Sequence, residues 1–236
     1  MRARLSIATD GGVFSDVPEG YPVGRHQTEG PWEIPMLARV PRERIPEHLV
    51  AFNDLGRSPD RATTGVHFFR HDETFAKLLA CPAKYGPKFS EFQCVLTPDI
   101  TLGAGMNPWM KARRVAYSRM TGVIWQTRGL VVIPTLRWNS INDLELVCSG
   151  VPKRSVIAVS NYGSRRDADL RHAFESGLPQ VIERVDPSGL IVFGDTRGRA
   201  FSDIPDTTLV RCFEPFKGTQ VLPDPSPKDD GVATLF

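Results

Sequence analysis

Three aspartates, Asp72, Asp99 and Asp195, are the residues of this chain whose type and spacing best suit chemistry. Each follows an apolar run that reads as a β-strand, and in α/β proteins ligands bind beyond the carboxyl ends of parallel strands. Two acids in a partly apolar site have their pKa values pushed apart, which makes one an acid and the other a base. That pairing suits hydrolysis or transfer at a glycosidic or phosphate centre, and the same residues would equally make a structural Arg–Asp network. The strand-end rule also selects Arg137, Trp138, Asn161 and His71 as ligand-binding candidates. Arg137 would hold a phosphate and Trp138 would stack on a base.

The stretch 107–128 holds the sharpest local signals. On a helical wheel Trp109, Ala112, Ala116, Tyr117, Met120, Val123 and Ile124 share an apolar arc, and Arg113 falls inside it. A guanidinium buried there needs an anion, either Asp99 or a ligand phosphate or carboxylate. Lys111, Arg114 and Ser118 fall on the opposite side. Lys111, Arg113, Arg114, Arg119 and Arg128 meet no acid between 100 and 128, and Trp109, Tyr117 and Trp125 interleave with them. Basic plus aromatic points to nucleic-acid contact through Lys111, Arg114 and Arg119, the alternative being a solvated face answered by acids elsewhere.

Other patterns fall short of a mechanism. Gly103-Ala-Gly105 precedes a helix as a dinucleotide loop would, but the third fingerprint position is Pro108. His67 and His71 on one strand face would stand roughly 13 Å apart, too far for a common metal. No Gly-x-Ser-x-Gly, phosphate-loop or His-Glu-x-x-His motif occurs, which disfavours acyl-transfer triads, P-loop NTPases and zincins. Cys81, Cys94, Cys148 and Cys212 are far apart and read as reduced structural thiols. No metal is expected, and no motif names a cofactor.

The elements that must position these groups are legible. Strands are expected at 34–37, 49–52, 66–69, 93–97, 130–136, 156–160 and 190–193. Several are apolar on consecutive residues, as strands buried on both faces are. Between them helices are expected at 72–80, at 107–128 (Asn107-Pro108 opening it and Gly129 ending it), and from 164 to 185, broken or kinked at Gly177 and Pro179. This gives an α/β fold with a mostly parallel sheet of about seven strands, partial or irregular and TIM-barrel-like, with an open doubly wound sheet as the alternative.

The 236 residues, 41% hydrophobic, suffice for one large domain with its own core. The reading divides them into a Gly/Pro-rich leader over 1–33, a single domain over 34–202 and a Pro-rich tail over 203–236. A formal charge of +2 gives no whole-molecule attraction to nucleic acid or acidic lipid. No run approaches the roughly 18 apolar residues of a membrane helix, and Met1–Asp10 lacks the apolar stretch of a secretory signal. A soluble cytoplasmic protein without a membrane partner is expected.

The order of motifs resembles the domain-of-unknown-function family 4417 of bacteria, phages and mobile elements. The residues that carry the likeness are Pro35-x-Leu37, His67-Phe-Phe with Phe75 and Pro82, Thr97-Pro-Asp99, Trp125-Gln with Gly129, and Val132-Ile-Pro-Thr-Leu-Arg-Trp138. Gly150-Val-Pro-Lys153, Ala158-Val-Ser160, Phe174 with Gly177, and Val192-Phe-Gly194 continue it. The likeness spans roughly 30–196, with Pro98-Asp-Ile-Thr101 where the family often has Pro-Asp-Phe-Ser. It implies one α/β domain in a phage or mobile-element setting and does not choose between enzyme and binder. Two functions stay open: an enzyme acting on a nucleotide or nucleic-acid component at the strand ends, or an accessory protein that binds nucleic acid or a host protein.

Overall fold

A computed structural model describes residues 7–9, 12–14, 17–24 and 26–215. The rest of the leader, and the tail from 216 onward, lie outside the described residues. Two small antiparallel pairs come first, β1 (Ile7–Thr9) with β2 (Gly12–Phe14) and β3 (Thr28–Glu29) with β4 (Ile34–Pro35). The main body is α/β. One parallel sheet has four strands in sequential order, β5 (His48–Ala51), β6 (Thr64–His67), β7 (Cys94–Leu96) and β8 (Val132–Ile133). A second has three, β9 (Val156–Ser160), β10 (Gly189–Phe193) and β11 (Leu209–Phe213). A single parallel bridge, Thr135 to Ala158, joins the end of β8 to β9.

Five helices connect them: α1 (Asp72–Ala80), α2 (Gly86–Phe89), α3 (Pro108–Gln126), α4 (Leu144–Cys148) and α5 (Ala168–Val185). Asp72 and Glu73 open α1, favourably against the helix dipole, and Pro108 sits in the first turn of α3. Asp167 caps α5 by accepting from the backbone N–H groups of Asp169 and Leu170.

Consecutive apolar strand residues are explained by three cores. Val66, Val95 and Val132 face outward onto α1 and α3, while Ile157, Val159, Leu190 and Val192 face outward onto α4 and α5. The alternate residues, Leu49, Cys94, Leu96, Ile133, Val156, Ala158, Ile191, Phe193 and Phe213, meet in one inner core drawn from both sheets. All four cysteines are free thiols, and among the described residues no helix is long and apolar enough to cross a membrane.

The structure departs from the sequence reading in three places. Ile34–Leu37 is no member of a parallel sheet, because Ile34 and Pro35 pair antiparallel with β3. Leu209–Phe213, read as part of the tail, is a strand in register with β10; the surrounding prolines hid a five-residue pattern that the inner core completes. Helix α5 runs through Pro179 without ending, held by Leu178, Val181, Ile182 and Val185 packed on the second sheet.

Candidate functional site

Asp99 lies three residues beyond β7 and is only 5% exposed. Arg137, four residues beyond β8, donates from Nη1 to Asp99 Oδ2 at 2.8 Å. Burial pushes the Asp99 carboxyl above the usual carboxylate range; Arg137 opposes that rise, and the charge of Asp72 adds to it. Arg137 is raised in turn by Asp99. Desolvation and a single cation thus act against each other at Asp99, leaving an acid that holds its proton to a higher pH than a surface aspartate.

Asp72 is engaged differently. Its carboxylate accepts from the Thr101 backbone N–H at 3.2 Å, from Thr101 Oγ1 at 2.9 Å and from Arg114 Nη1 at 3.2 Å. Arg114 Nη1 also donates to the Thr101 carbonyl at 2.7 Å, so this cluster ties α1, the loop after β7 and α3 together. Asp72 therefore acts on Asp99 through its field.

Arg137 and Asp99 open onto a cavity of about 380 Å³ beyond the carboxyl ends of β7, β8 and β9, at the seam between the two sheets. Leu102, Leu136, Trp138, Leu170 and Phe174 give it an apolar wall, and Ser160, Ser164 and Asp167 supply polar groups. That volume falls in the range of about 300–1,000 Å³ typical of small-molecule sites. Trp138 is fixed by its Nε1 donating to the Ala173 carbonyl at 2.8 Å and by stacking on Phe174, with ring centroids 5.4 Å apart. Gly177 makes room for that ring, since a Cβ there would stand 2.4 Å from Trp138 Nε1.

A second cavity of about 230 Å³ adjoins the first and is lined by Asn161, Arg171, Asp195 and Arg197, among others. The Asn161 amide is spent on Asp195: Nδ2 donates to its carbonyl at 2.6 Å, and Oδ1 accepts from its N–H at 3.1 Å. Gly194 permits this, with φ at +145° and no room for a Cβ, which would lie 1.8 Å from Asn161 Oδ1. Asp195 in turn accepts from Arg197 Nη2 at 3.2 Å.

The expected nucleic-acid face of α3 is corrected. Arg119 is 1% exposed, and its guanidinium donates to the carbonyls of Val147 at 2.8 Å, Thr135 at 3.1 Å and Ser149 at 3.4 Å. Arg114 is buried against Asp72, and Lys111 donates to Asp143 Oδ1 at 2.7 Å. Asp143 also accepts from the Asn139 and Ser140 N–H groups through Oδ2, so Lys111 steadies the loop that carries Arg137 and Trp138. The wheel misplaced these cations because α3 is covered on nearly every side, leaving no solvent face for them. Arg113, expected to be the buried cation, is half-buried, and the partner of Asp99 is Arg137.

Asp99, Arg137 and Trp138 thus share the first cavity, Asn161 and Asp195 the second, while His71 is exposed at the start of α1 and lines neither. Sequence reasoning missed Asp143, Asp167 and Phe174. Ser140-x-x-Asp143 is a capping box and Asp167 an N-cap, signals present in the sequence; nothing marked Phe174 as a cavity wall. Among the described residues no group of three or more His, Cys, Asp or Glu could hold a metal ion.

The chain is similar to two phage proteins, each called Gene 1 protein. It is 30% identical to that of Mycobacterium phage L5 over 183 residues, 76% of this chain and 79% of the relative. It is 29% identical to that of Mycobacterium phage D29 over 168 residues, 70% of this chain and 62% of the relative, whose length it therefore spans only in part. No solved structure matches. The model of the domain of unknown function DUF4417 matches residues 26–213, through β11 and the whole of both cavities, and the chain belongs to that family.

Proposed function

We propose that this phage-type protein is a cytoplasmic enzyme that binds a nucleotide or nucleic-acid component in the strand-end cavity and moves a proton through Asp99. The observation that carries the reading is buried Asp99 paired with part-exposed Arg137 in the wall of a 380 Å³ cavity with an aromatic side. Arg137 spends Nη1 on Asp99, while its side chain remains 40% exposed, so the rest of the guanidinium fork can meet a phosphate. Trp138 and Phe174 present a flat apolar surface suited to a base. Asp99, whose carboxyl is raised by burial above the ordinary carboxylate range, is the general acid, and Arg137 holds its carboxyl in place and stabilises its conjugate base. In this reading the two sheets form one incomplete barrel over roughly 26–213, closed at the Thr135–Ala158 bridge, and the cavity lies where the strands of the two halves diverge.

A non-catalytic role toward a host protein is the second reading, favoured by the exposed Trp32, Trp109 and Ile141. A nucleic-acid role through α3 has lost its support, because Arg114 and Arg119 are spent inside the fold.

The test is to purify the protein untagged at low salt, release small molecules by denaturation and identify them by mass spectrometry. The released compound is then offered back to wild type and Asp99→Asn. A phosphorylated, base-containing compound that wild type converts and Asp99→Asn binds without converting is the expected result. Equal turnover by Asp99→Asn overturns the assignment of Asp99, and a released compound with neither phosphate nor base overturns the ligand class.

A further inference from the structure

The second cavity shares two walls, Ser164 and Phe174, with the first. From the aromatic row and the cations that follow it from one cavity into the next, we infer that the site takes two consecutive nucleotides of a single strand. This inference rests on reading the first cavity as a nucleotide site. Trp138 stacks on Phe174 at 10° between ring planes, and Phe174 leans on Phe201 with centroids 6.0 Å apart. Phe174 thus stands in the wall of both cavities, and Phe201 in that of the second. Rows of aromatic rings flanked by cations are how proteins hold successive bases without reading their sequence.

The polar groups fit the same ligand. Arg137 serves the first cavity; Arg171 and Arg197 line the second. Arg197 pairs with Asp195 yet its side chain stays 83% exposed, and Arg171 is exposed as well. Glu175 and Asp195 also line the second cavity, where a carboxylate can accept from an exocyclic amine or a sugar hydroxyl. The Asn161–Asp195 double hydrogen bond fixes one wall of the second cavity.

Calorimetric titration decides the matter, with the common nucleoside 5′-monophosphates and the corresponding 5′-phosphorylated homodinucleotides as probes. The tests are wild type, Arg171→Gln and Gly198→Leu. Gly198 lines the second cavity, and a Cβ there meets nothing closer than 3.9 Å, so leucine adds bulk to the cavity wall without a clash at its Cβ. Arg171 is exposed, so its variant keeps the test open should Gly198→Leu fold poorly. A dinucleotide about tenfold tighter than its mononucleotide, within the range for one stacked base, is expected in wild type. Both variants should lose that advantage and keep mononucleotide binding. Equal affinity of mono- and dinucleotide in wild type overturns the second subsite and leaves the first standing. A dinucleotide advantage that survives both variants also overturns it. Absence of binding by either probe overturns the first reading, and this one with it.

Discussion

Lowering the pH from 7 to 5 should cost this protein stability through one residue, His67. The ring is buried at the end of β6, clustered with the stacked rings of Phe69 and Phe193, whose centroids lie 5.4 and 4.7 Å away. Its Nδ1 accepts from the Phe69 backbone N–H at 3.2 Å, so the neutral tautomer carries its proton on Nε2. Burial, with the charge of Arg70 adding to it, lowers the His67 pKa from 6.5 to about 3. The unfolded chain therefore takes up a proton that the folded one refuses. The stabilisation is full above pH 6.5 and is lost as the pH falls toward 3. At 1.36 kcal/mol per pKa unit the loss is about 2 kcal/mol at pH 5 and about 3 kcal/mol at pH 4. Asp99 works in the opposite sense: its raised pKa stabilises the fold at acid pH, and that contribution fades as pH rises through its folded pKa. The comparison that isolates His67 is between wild type and His67→Asn, whose amide oxygen replaces Nδ1 as acceptor but cannot titrate. Urea unfolding followed by tryptophan fluorescence at pH 7 and pH 5 should show about 2 kcal/mol more acid loss in wild type. Equal acid loss in the two proteins refutes the reasoning.

Gly177→Ala should destabilise even though alanine gains about 1 kcal/mol of helix propensity. The added methyl would displace the Trp138 indole, costing about 1–3 kcal/mol and changing tryptophan fluorescence. Arg119→Met leaves the Thr135, Val147 and Ser149 carbonyls without their donor and should lower stability by about 3 kcal/mol, or about 6–12 °C in melting midpoint by calorimetry. Gly194→Ala should cost less in an Asn161→Ala background than in wild type, by about 1–3 kcal/mol in a double-mutant cycle, because its methyl collides with Asn161 Oδ1. Additive costs would show that backbone strain at Gly194, and no contact with Asn161, sets the penalty.

The α/β character, the helix starts at Asp72 and Pro108, and the strand at Val156–Ser160 were legible because each rests on local pattern: acids in a first turn, Asn-Pro, a run of β-branched residues. Asp99, Arg137 and Trp138 were found together because they follow strands, and a parallel sheet brings such residues to one end. Which arginine answers Asp99 was not legible, since Arg113 and Arg137 are both close in kind and only tertiary packing chooses. Helix α3 misled for the same reason. A wheel assumes one wet face, whereas Arg119 here reaches carbonyls contributed by α4 and the end of β8, about 16 to 30 residues onward. β11 escaped because its five residues make sense only beside β10.

Thermal unfolding with added nucleoside 5′-monophosphates, in wild type and Gly163→Leu, tests the central claim most directly. Gly163 lines the first cavity, and a Cβ there meets nothing within 4 Å, so leucine adds bulk at the cavity wall without a clash at its Cβ and without replacing Asp99 or Arg137. At about ten times the dissociation constant a ligand adds about 1.4 kcal/mol, which raises the midpoint of a protein this size by about 3–6 °C. A rise of that size in wild type, absent in Gly163→Leu, is expected for at least one nucleotide. No rise with any nucleotide at millimolar concentration, or an equal rise in Gly163→Leu, would contradict a nucleotide site at the strand ends.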